Sequence, residues 1–136
     1  MDTAKLSRRQ QVAVLAAATG LYWLAMFVGT HVPLRTTPTH NPHSLDKLQH
    51  LAAFAGLAVL LCGLGTLTVI SRWRRYVGVA LVIAVYGMVD ETSQLLVRER
   101  SPDVFDWLAD MAGAALGIII FVAFRKLYSL LQGRLA

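Results

Sequence analysis

YVGVALVIAVYGMVDETSQLLVRERSPDVFDWLADMAGAALGIIIFVAF, residues 76–124, contains two apolar runs on either side of a charged centre. The runs, residues 76–89 and 111–124, have 14 residues each, and a helix of that length covers only about 21 Å. The hydrocarbon core of a bilayer is about 30 Å thick, so each helix must include part of the charged centre if it is to span the membrane. The polar residues thereby placed inside a helix are Asp90, Glu91 and Gln94 in the first and Asp106 and Asp110 in the second.

Two further stretches without charge precede this region, and each is long enough to span a membrane alone. They lie between Arg9 and Arg35 and between Lys47 and Arg72, and each exceeds the roughly 20 apolar residues that a transmembrane helix needs. The hydrophobic fraction of 56% is too high for a small water-soluble fold. We therefore predict an all-α, polytopic membrane bundle of about four transmembrane helices, forming a single domain over residues 1–136. The predicted helices are about 11–31, 47–70, 76–97 and 103–124.

Basic residues are concentrated at one side of the predicted bundle. Nine of the thirteen Lys and Arg residues lie in the N-terminus, the 71–75 connection and the C-terminus. Because loops rich in Lys and Arg stay in the cytoplasm, both termini are predicted to be cytoplasmic. Seven of the eight acidic residues then lie at the opposite, outer end of the bundle. We expect a functional site at that end.

Charge and cysteine content exclude some classes of function. The net charge of +5 does not indicate nucleic-acid binding, because no basic cluster is interleaved with aromatic residues on a polar surface. Cys62 is the only cysteine and lies within an apolar run, so no internal disulfide is expected. Arg8 and Arg9 precede the first apolar run as in a signal peptide, but the run is too long for one. We expect a retained first helix.

Helical periodicity places the acidic residues on faces that point into the bundle. At about 100° per residue, one face of the fourth helix combines acids with glycines that permit close helix approach. This face comprises Asp103, Asp106, Asp110, Gly113 and Gly117. A face of the third helix comprises Gly87, Asp90, Glu91 and Gln94, and the second helix begins with Asp46, Lys47 and His50. We expect these faces to meet at one membrane depth, with Arg98 and Arg100 of the connecting loop as countercharges.

The chemistry of these residues leaves a structural and a functional interpretation open. A network of ion pairs and helix caps would suit Asp103 and Glu99, which flank Ser101-Pro102, a typical helix start. A functional cavity is favoured for the deeper acids, because carboxylates at membrane depth are costly unless they are paired or hydrated.

A divalent metal is a third interpretation of the cluster. His50 with Asp46, Glu91, Asp106 and Asp110 offers imidazole and oxygen ligands. No ligand spacing such as His-Glu-x-x-His supports a metal, so we assign no metal ligands and leave a divalent metal open as a cofactor. The remaining histidines, which we predict to be loop or interfacial residues, are His31, His40 and His43.

The ordered polar residues resemble those of the VanZ-like family of bacterial membrane proteins. The resemblance runs through His31-Val32-Pro33, Asp46-Lys47-x-x-His50 with Phe54, Tyr86-Gly87-x-x-Asp90-Glu91-x-x-Gln94, and Arg100 with Asp106, Asp110, Gly113 and Gly117. It covers residues 30 to about 120. The chain departs from the family pattern in two places: Arg98-Glu99 stands where members often have a Pro-Gly turn, and Leu51 stands where they often have an aromatic residue. Neither belongs to the polar set.

The resemblance implies a small helical bundle in the bacterial cytoplasmic (inner) membrane, with the motif residues together. The founding member of the family is associated with resistance to the glycopeptide teicoplanin, and no reaction is firmly assigned to the family. The motif positions carried over are Asp46, Lys47, His50, Glu91, Gln94, Arg100, Asp106 and Asp110. Asp90, on the same face as Glu91, completes the expected ligand-binding set.

The leading hypothesis is recognition of a membrane lipid, a lipid-linked envelope precursor or a glycopeptide-related ligand at the outer face. Lys47 and Arg100 would contact phosphate, and the carboxylates would contact amine or hydroxyl groups. One alternative is a membrane-embedded hydrolase or transferase in which His50 with Asp106 or Asp110 supplies acid–base catalysis. Another is a non-catalytic scaffold subunit. The sequence does not decide whether the protein is an enzyme.

Overall fold

The computed structural model describes residues 6–31, 42–97 and 101–133, with side chains for all of these except 42–44. The helices are α1 (Arg8–His31), α2 (Pro42–Thr66), α3 (Arg72–Ser93) and α4 (Val104–Gly133), with a short 3₁₀ turn, Gln94–Leu96, after α3. All four are long and apolar enough to cross a membrane. No strand occurs in these described ranges. The prediction of an all-α bundle of four transmembrane helices is confirmed.

The bounds of α2 differ from the predicted 47–70. The helix begins at Pro42, because proline fits the first turn of a helix, where its missing N–H has no helical partner. It ends at Thr66, shortly after Gly63 and Gly65, which are weak helix formers. The longer start adds a turn before Asp46.

The end of α4 also differs from the predicted bound near residue 124. The helix continues to Gly133, because Arg125 and Lys126 end the apolar run without breaking the helix. The end of an apolar run therefore marks the end of the segment that can lie in lipid, and the helix itself can continue beyond it.

Helix α2 lies at the centre of the bundle and packs against the other three helices, most extensively against α4. Helices α2 and α4 approach each other closely at the glycines of α4. A Cβ atom at Gly113 would overlap the carbonyl oxygen of Leu51, and one at Gly117 would overlap that of Ala55. The predicted glycine face of α4 therefore packs against protein, and this contact fixes the height of α4 along α2.

The interior is small and the exterior is apolar. Phe54, Leu57 and Ile83 are fully buried between the helices. Large apolar side chains such as Leu21 and Ile119 are exposed. Exposed apolar surface of this extent is unusual for a water-soluble monomer and is typical of a surface that faces lipid.

The basic and acidic ends of the bundle are opposite each other. At the basic end, Arg8 at the start of α1 donates to the carbonyl of Leu67, just beyond α2, at 3.0 Å. Arg75 near the start of α3 lies against Gly65 near the end of α2. Helices α1 and α3 therefore run antiparallel to α2. Their C-terminal ends share the other end of the bundle with the first turns of α2 and α4, and the buried acidic residues lie there.

Candidate functional site

The acidic end contains a cluster of buried polar side chains, contributed by α2, α3, the 3₁₀ turn and α4. Its members are His50, Asp90, Glu91, Gln94, Asp106 and Asp110, each buried. The acidic faces of α3 and α4 meet as the periodicity predicts. Asp46 and Lys47 lie at the edge of the cluster and are half-buried.

Lys47 forms the outer ion pairs of the cluster. Its Nζ donates to Asp103 Oδ2 at 2.7 Å and to Asp106 Oδ1 at 2.9 Å. Asp103 also accepts the backbone N–H of Phe105 through Oδ1 at 2.8 Å. Since Phe105 lies in the first turn of α4, Asp103 caps this helix. The capping interpretation is thus supported for Asp103, and the positive charge of Lys47 is neutralised locally.

His50 and Asp110 form a buried pair in the centre of the cluster. His50 Nδ1 lies 2.9 Å from Asp110 Oδ1 and 4.0 Å from Glu91 Oε1. With Asp110 ionised, Nδ1 carries the proton and donates it to the carboxylate. Asp110 also lies against Gly87, where a Cβ atom would come within 2.9 Å of Oδ2. The glycine therefore makes room for this carboxylate between α3 and α4.

Glu91 and Gln94 join the end of α3 to the start of α4. Glu91 Oε2 accepts the backbone N–H of Asp103 at 2.9 Å, which satisfies an amide at the start of α4. Glu91 Oε1 accepts from Gln94 Nε2 at 3.3 Å. This carboxylate is held in place from both sides while Oε1 remains close to His50.

A second group of polar residues surrounds Asp90. Asp90 Oδ1 accepts from Thr30 Oγ1 at 3.0 Å and from Tyr86 OH at 3.3 Å, and His31 Nδ1 lies 3.9 Å away. His31 Nε2 is 2.8 Å from Ser93 Oγ. His31 is the last residue of α1 and its ring contacts the end of α3, so it does not lie in a loop; its interfacial position stays a prediction.

Sequence reasoning missed Thr30, Tyr86 and Ser93 as members of this group and missed the role of His31. The signal was available for Thr30 and His31, since they end the first apolar run at the depth where Asp90 ends the third. Tyr86 was visible one turn before Asp90, on the same helix face.

A cavity of about 190 Å³ lies beside the cluster, between α1 and α2. It is lined by Met26, Gly29, Thr30, Asp46, Gln49, His50 and Ala53. Because His50 Nδ1 is bonded to Asp110 and no hydrogen bond to Nε2 occurs within residues 6–31, 42–97 and 101–133, Nε2 is the ring nitrogen left for a group in the cavity. The cavity thus reaches both polar groups, through His50 to Asp110 and through Thr30 to Asp90.

The described part of the site carries an excess of negative charge. Asp90, Glu91, Asp106 and Asp110 are all buried, and Lys47 already bonds to Asp106 and to a further carboxylate. Within the described part of the chain, Asp90 Oδ2 and Asp110 Oδ2 are buried and accept no hydrogen bond. Buried oxygens of this kind are rare and normally have a partner, which can be a ligand, a proton or an ion.

Two overlapping sets of side chains are close enough to hold a metal ion. Asp46, His50 and Asp106 present ligand atoms within 4.8 Å of one another, and so do His50, Glu91 and Asp110. Arg100, predicted to contact phosphate, lies outside the described residues, as do Arg98, Glu99 and His40, and His43 lies within α2 at a position whose side chain is not described.

Comparison with known proteins identifies a family. The sequence model of the VanZ/LLP1 family matches residues 6–125 of the chain. No curated protein and no solved structure matches. The matched range includes every residue of the two polar groups.

Proposed function

The chain belongs to the VanZ/LLP1 family, and from this premise we propose that it binds the headgroup of a lipid or lipid-linked precursor of the bacterial cell envelope. The observation that carries the proposal is the cavity between α1 and α2, whose polar lining continues into a buried charged cluster. At about 30 Å³ per water, its volume of about 190 Å³ equals about six waters. That volume suits a small headgroup.

The charge of the site favours particular headgroup chemistry. Lys47 is bonded to two carboxylates, and the described residues that line the cavity include a carboxylate but no Lys or Arg. Amine and hydroxyl groups supply the N–H and O–H donors that Asp46 and the His50 Nε2 atom can accept. A headgroup phosphate would lie further out, next to the exposed part of Lys47, whose side chain is 34% exposed. Arg100 is the second group proposed for the phosphate.

The proposed location of the cavity rests on the distribution of basic residues along the chain. The positive-inside distribution supports cytoplasmic termini, and with that orientation the proposed place of the cavity is the outer face of the cytoplasmic membrane. A ligand there is accessible from the outer leaflet. We extend the proposal to glycopeptide antibiotic resistance: cells that produce the protein are expected to tolerate more teicoplanin than cells that produce the His50→Ala variant at equal abundance.

Native mass spectrometry of the detergent-solubilised protein with one lipid at a time tests headgroup recognition. Phosphatidylethanolamine and phosphatidylcholine form a matched pair, because both carry a phosphate and a cationic nitrogen but only the former has N–H donors. Phosphatidylglycerol and a polyprenyl-linked sugar supply hydroxyl donors. We expect at least one donor-bearing lipid to be retained about tenfold better than phosphatidylcholine, equivalent to one charge-assisted hydrogen bond of about 1.4 kcal/mol.

Two variants of the cavity lining test the proposal, and a third variant outside the cavity is the control. Asp46→Asn and Thr30→Ala change residues that line the cavity and are expected to reduce the preference. Thr92→Ala removes a threonine on the exposed side of α3, whose hydroxyl bonds, among the described residues, only to carbonyls of its own helix. This variant is expected to keep the lipid preference. Equal retention of all four lipids, or an unchanged preference in Asp46→Asn, would contradict the proposal.

A second candidate function is hydrolysis or transfer on such a lipid. The observation that favours it is the buried His50–Asp110 pair at 2.9 Å, with His50 also lining the cavity. Asp110 would orient the imidazole, and Nε2 would act as the general base toward a group in the cavity. Asp106, bonded to Lys47, is less suited to this role than Asp110.

Catalysis is tested by turnover. Purified protein is incubated with envelope lipids, and the products are measured by liquid chromatography with mass spectrometry. Product that accumulates with wild type and Thr92→Ala, and is absent with His50→Ala, would establish an enzyme. Retention of lipid without any change in its mass would leave binding as the function and remove this candidate.

A further inference from the structure

We propose that His50, Glu91 and Asp110 bind a divalent transition-metal cation at the centre of the bundle. The three residues come from α2, α3 and α4 respectively, and all are buried. Each offers one ligand atom, and these atoms lie within 4.8 Å of one another. An ion among them would join three helices at the end where the cavity lies. This site does not depend on the proposed lipid function.

The geometry of the three residues suits a small ion. His50 Nδ1 lies 2.9 Å from Asp110 Oδ1 and 4.0 Å from Glu91 Oε1. Ligand atoms about 2.0–2.2 Å from a common metal are separated by about 3–3.5 Å in a tetrahedron, so binding requires the Glu91 oxygen to move toward His50 by about 0.5 Å or more. On binding, the imidazole lone pair at Nδ1 goes to the metal, and the ring proton moves from Nδ1 to Nε2.

The incomplete hydrogen bonding of the Asp110 carboxylate is a second observation, and it favours a cation bound to this residue. Asp110 is fully buried, and its Oδ2 accepts no hydrogen bond within the described part of the chain. This oxygen lies in the narrow space beside Gly87, between α3 and α4. A carboxylate that is taken out of water needs a compensating charge or hydrogen bonds, and a cation bound to this group would supply the charge.

The other set of close ligand atoms is less suitable, although it shares His50. It combines Asp46, which is only half-buried, with Asp106. Asp106 Oδ1 already accepts from the ammonium of Lys47 at 2.9 Å, and this positive charge would repel a metal ion. Glu91 and Asp110 make no ion pair with Lys47 within residues 6–31, 42–97 and 101–133. The inner set is therefore favoured.

The donor set indicates the class of metal. One imidazole nitrogen with two carboxylate oxygens suits Zn²⁺, Mn²⁺ or Co²⁺. Calcium normally takes six to eight oxygen ligands, which is more than this set supplies. Glu91 is also anchored by the backbone N–H of Asp103 and by Gln94, so outer hydrogen bonds orient a metal-binding carboxylate as is usual in metal sites.

The test uses full-length, delipidated protein in detergent, free of any oligohistidine tag and stripped with a chelator. It is loaded separately with Zn²⁺, Mn²⁺, Co²⁺ and Mg²⁺. Bound metal per chain is measured after gel filtration, and the thermal unfolding midpoint is measured with and without metal. We expect about one equivalent of a transition metal per chain and a higher midpoint, because a ligand of the folded state stabilises it.

Variants distinguish this site from a general response to negative charge. Glu91→Gln and Asp110→Asn are expected to lower the metal affinity at least tenfold. Asp90→Asn is the matched control, because Asp90 is also fully buried with an oxygen that accepts no hydrogen bond within the described residues, yet it lies outside the set. This variant is expected to keep the affinity within about threefold. Asp46→Asn changes the other set, Asp46, His50 and Asp106, and is also expected to keep the metal affinity within about threefold.

Each outcome bears on the proposal. No uptake of any transition metal overturns it, as does an equal loss in Asp90→Asn, or a loss confined to Asp46→Asn. Should Glu91→Gln and Asp110→Asn fail to fold, the visible absorption of Co²⁺ in wild-type protein decides: bands that saturate at one equivalent and are removed by Zn²⁺ support the site, and their absence overturns it. Since lipid is excluded, failure here leaves headgroup binding unaffected.

Discussion

The glycines of α4 provide the sharpest test of how the site is positioned, and Gly113→Ala is the variant of choice. The added Cβ would overlap the carbonyl oxygen of Leu51 and would lie 3.1 Å from the backbone nitrogen of Ala55. Both neighbours are backbone atoms of α2, so no side chain can rotate away. The helices must separate locally to accommodate the methyl group.

The expected magnitude follows from two opposing terms. Overpacking of a well-packed contact costs about 1–3 kcal/mol, and the upper value applies here because backbone must move. Alanine gains about 1 kcal/mol over glycine in helix propensity. The net loss in the free energy of unfolding is therefore about 2 kcal/mol, or about 30-fold in the unfolding equilibrium at 1.4 kcal/mol per factor of ten. Separation of α2 and α4 should also weaken the His50–Asp110 contact.

The assay is unfolding in detergent, followed by circular dichroism, with Gly78→Ala as the matched control. A Cβ atom at Gly78 has no neighbour within 4 Å, so only the propensity term remains there, and this variant should be neutral or up to about 1 kcal/mol more stable. Equal stability of the two variants would refute the claim that close packing at Gly113 sets the height of α4.

Three further predictions concern charge, hydrogen bonding and orientation. Lys47→Met should lower the free energy of unfolding by about 1 kcal/mol, because the buried carboxylate of Asp106 loses its ion pair with Lys47. The same unfolding assay measures this loss. Tyr86→Phe should cost about 1 kcal/mol through loss of the hydroxyl donor to Asp90, whereas Tyr128→Phe, on the exposed end of α4, should cost less than about 0.5 kcal/mol. Green fluorescent protein fused to the C-terminus should fluoresce, and alkaline phosphatase fused there should be inactive, because the C-terminus is predicted to be cytoplasmic. The reverse result would refute cytoplasmic termini.

The presence of the acids within long apolar helices, and the helix faces on which they lie, could be predicted from the sequence, because rise and rotation per residue are fixed in a helix. Length alone placed Asp90 and Asp110 within transmembrane helices, and periodicity turned Gly113 and Gly117 toward a neighbouring helix, as the structure has them. Rise and rotation are properties of a single helix and do not depend on how the helices pack against each other.

The pairing of charges could not be predicted, because it depends on the height of α4 against α2. The two helices are locked where Gly113 meets Leu51. A slip of one turn, about 5.4 Å, would bring Asp106 rather than Asp110 to His50. Such a slip leaves the same residues on the same helix faces but changes the side chains that they contact. Residues about 60 positions apart in the chain are therefore paired only by helix packing.

His50 couples the two proposals through its two ring nitrogens. Without a metal and with Asp110 ionised, Nδ1 donates to Asp110. Nε2 is then the ring nitrogen left as an acceptor for a group in the cavity that His50 lines, which favours amine and hydroxyl donors. With a metal on Nδ1, the proton lies on Nε2, which then donates and favours a phosphate or carbonyl oxygen instead. If both proposals hold, metal should therefore weaken the retention of donor-bearing headgroups. A donor-bearing headgroup should in turn weaken metal binding, by the factor by which metal weakens headgroup binding, because coupling between two sites is reciprocal.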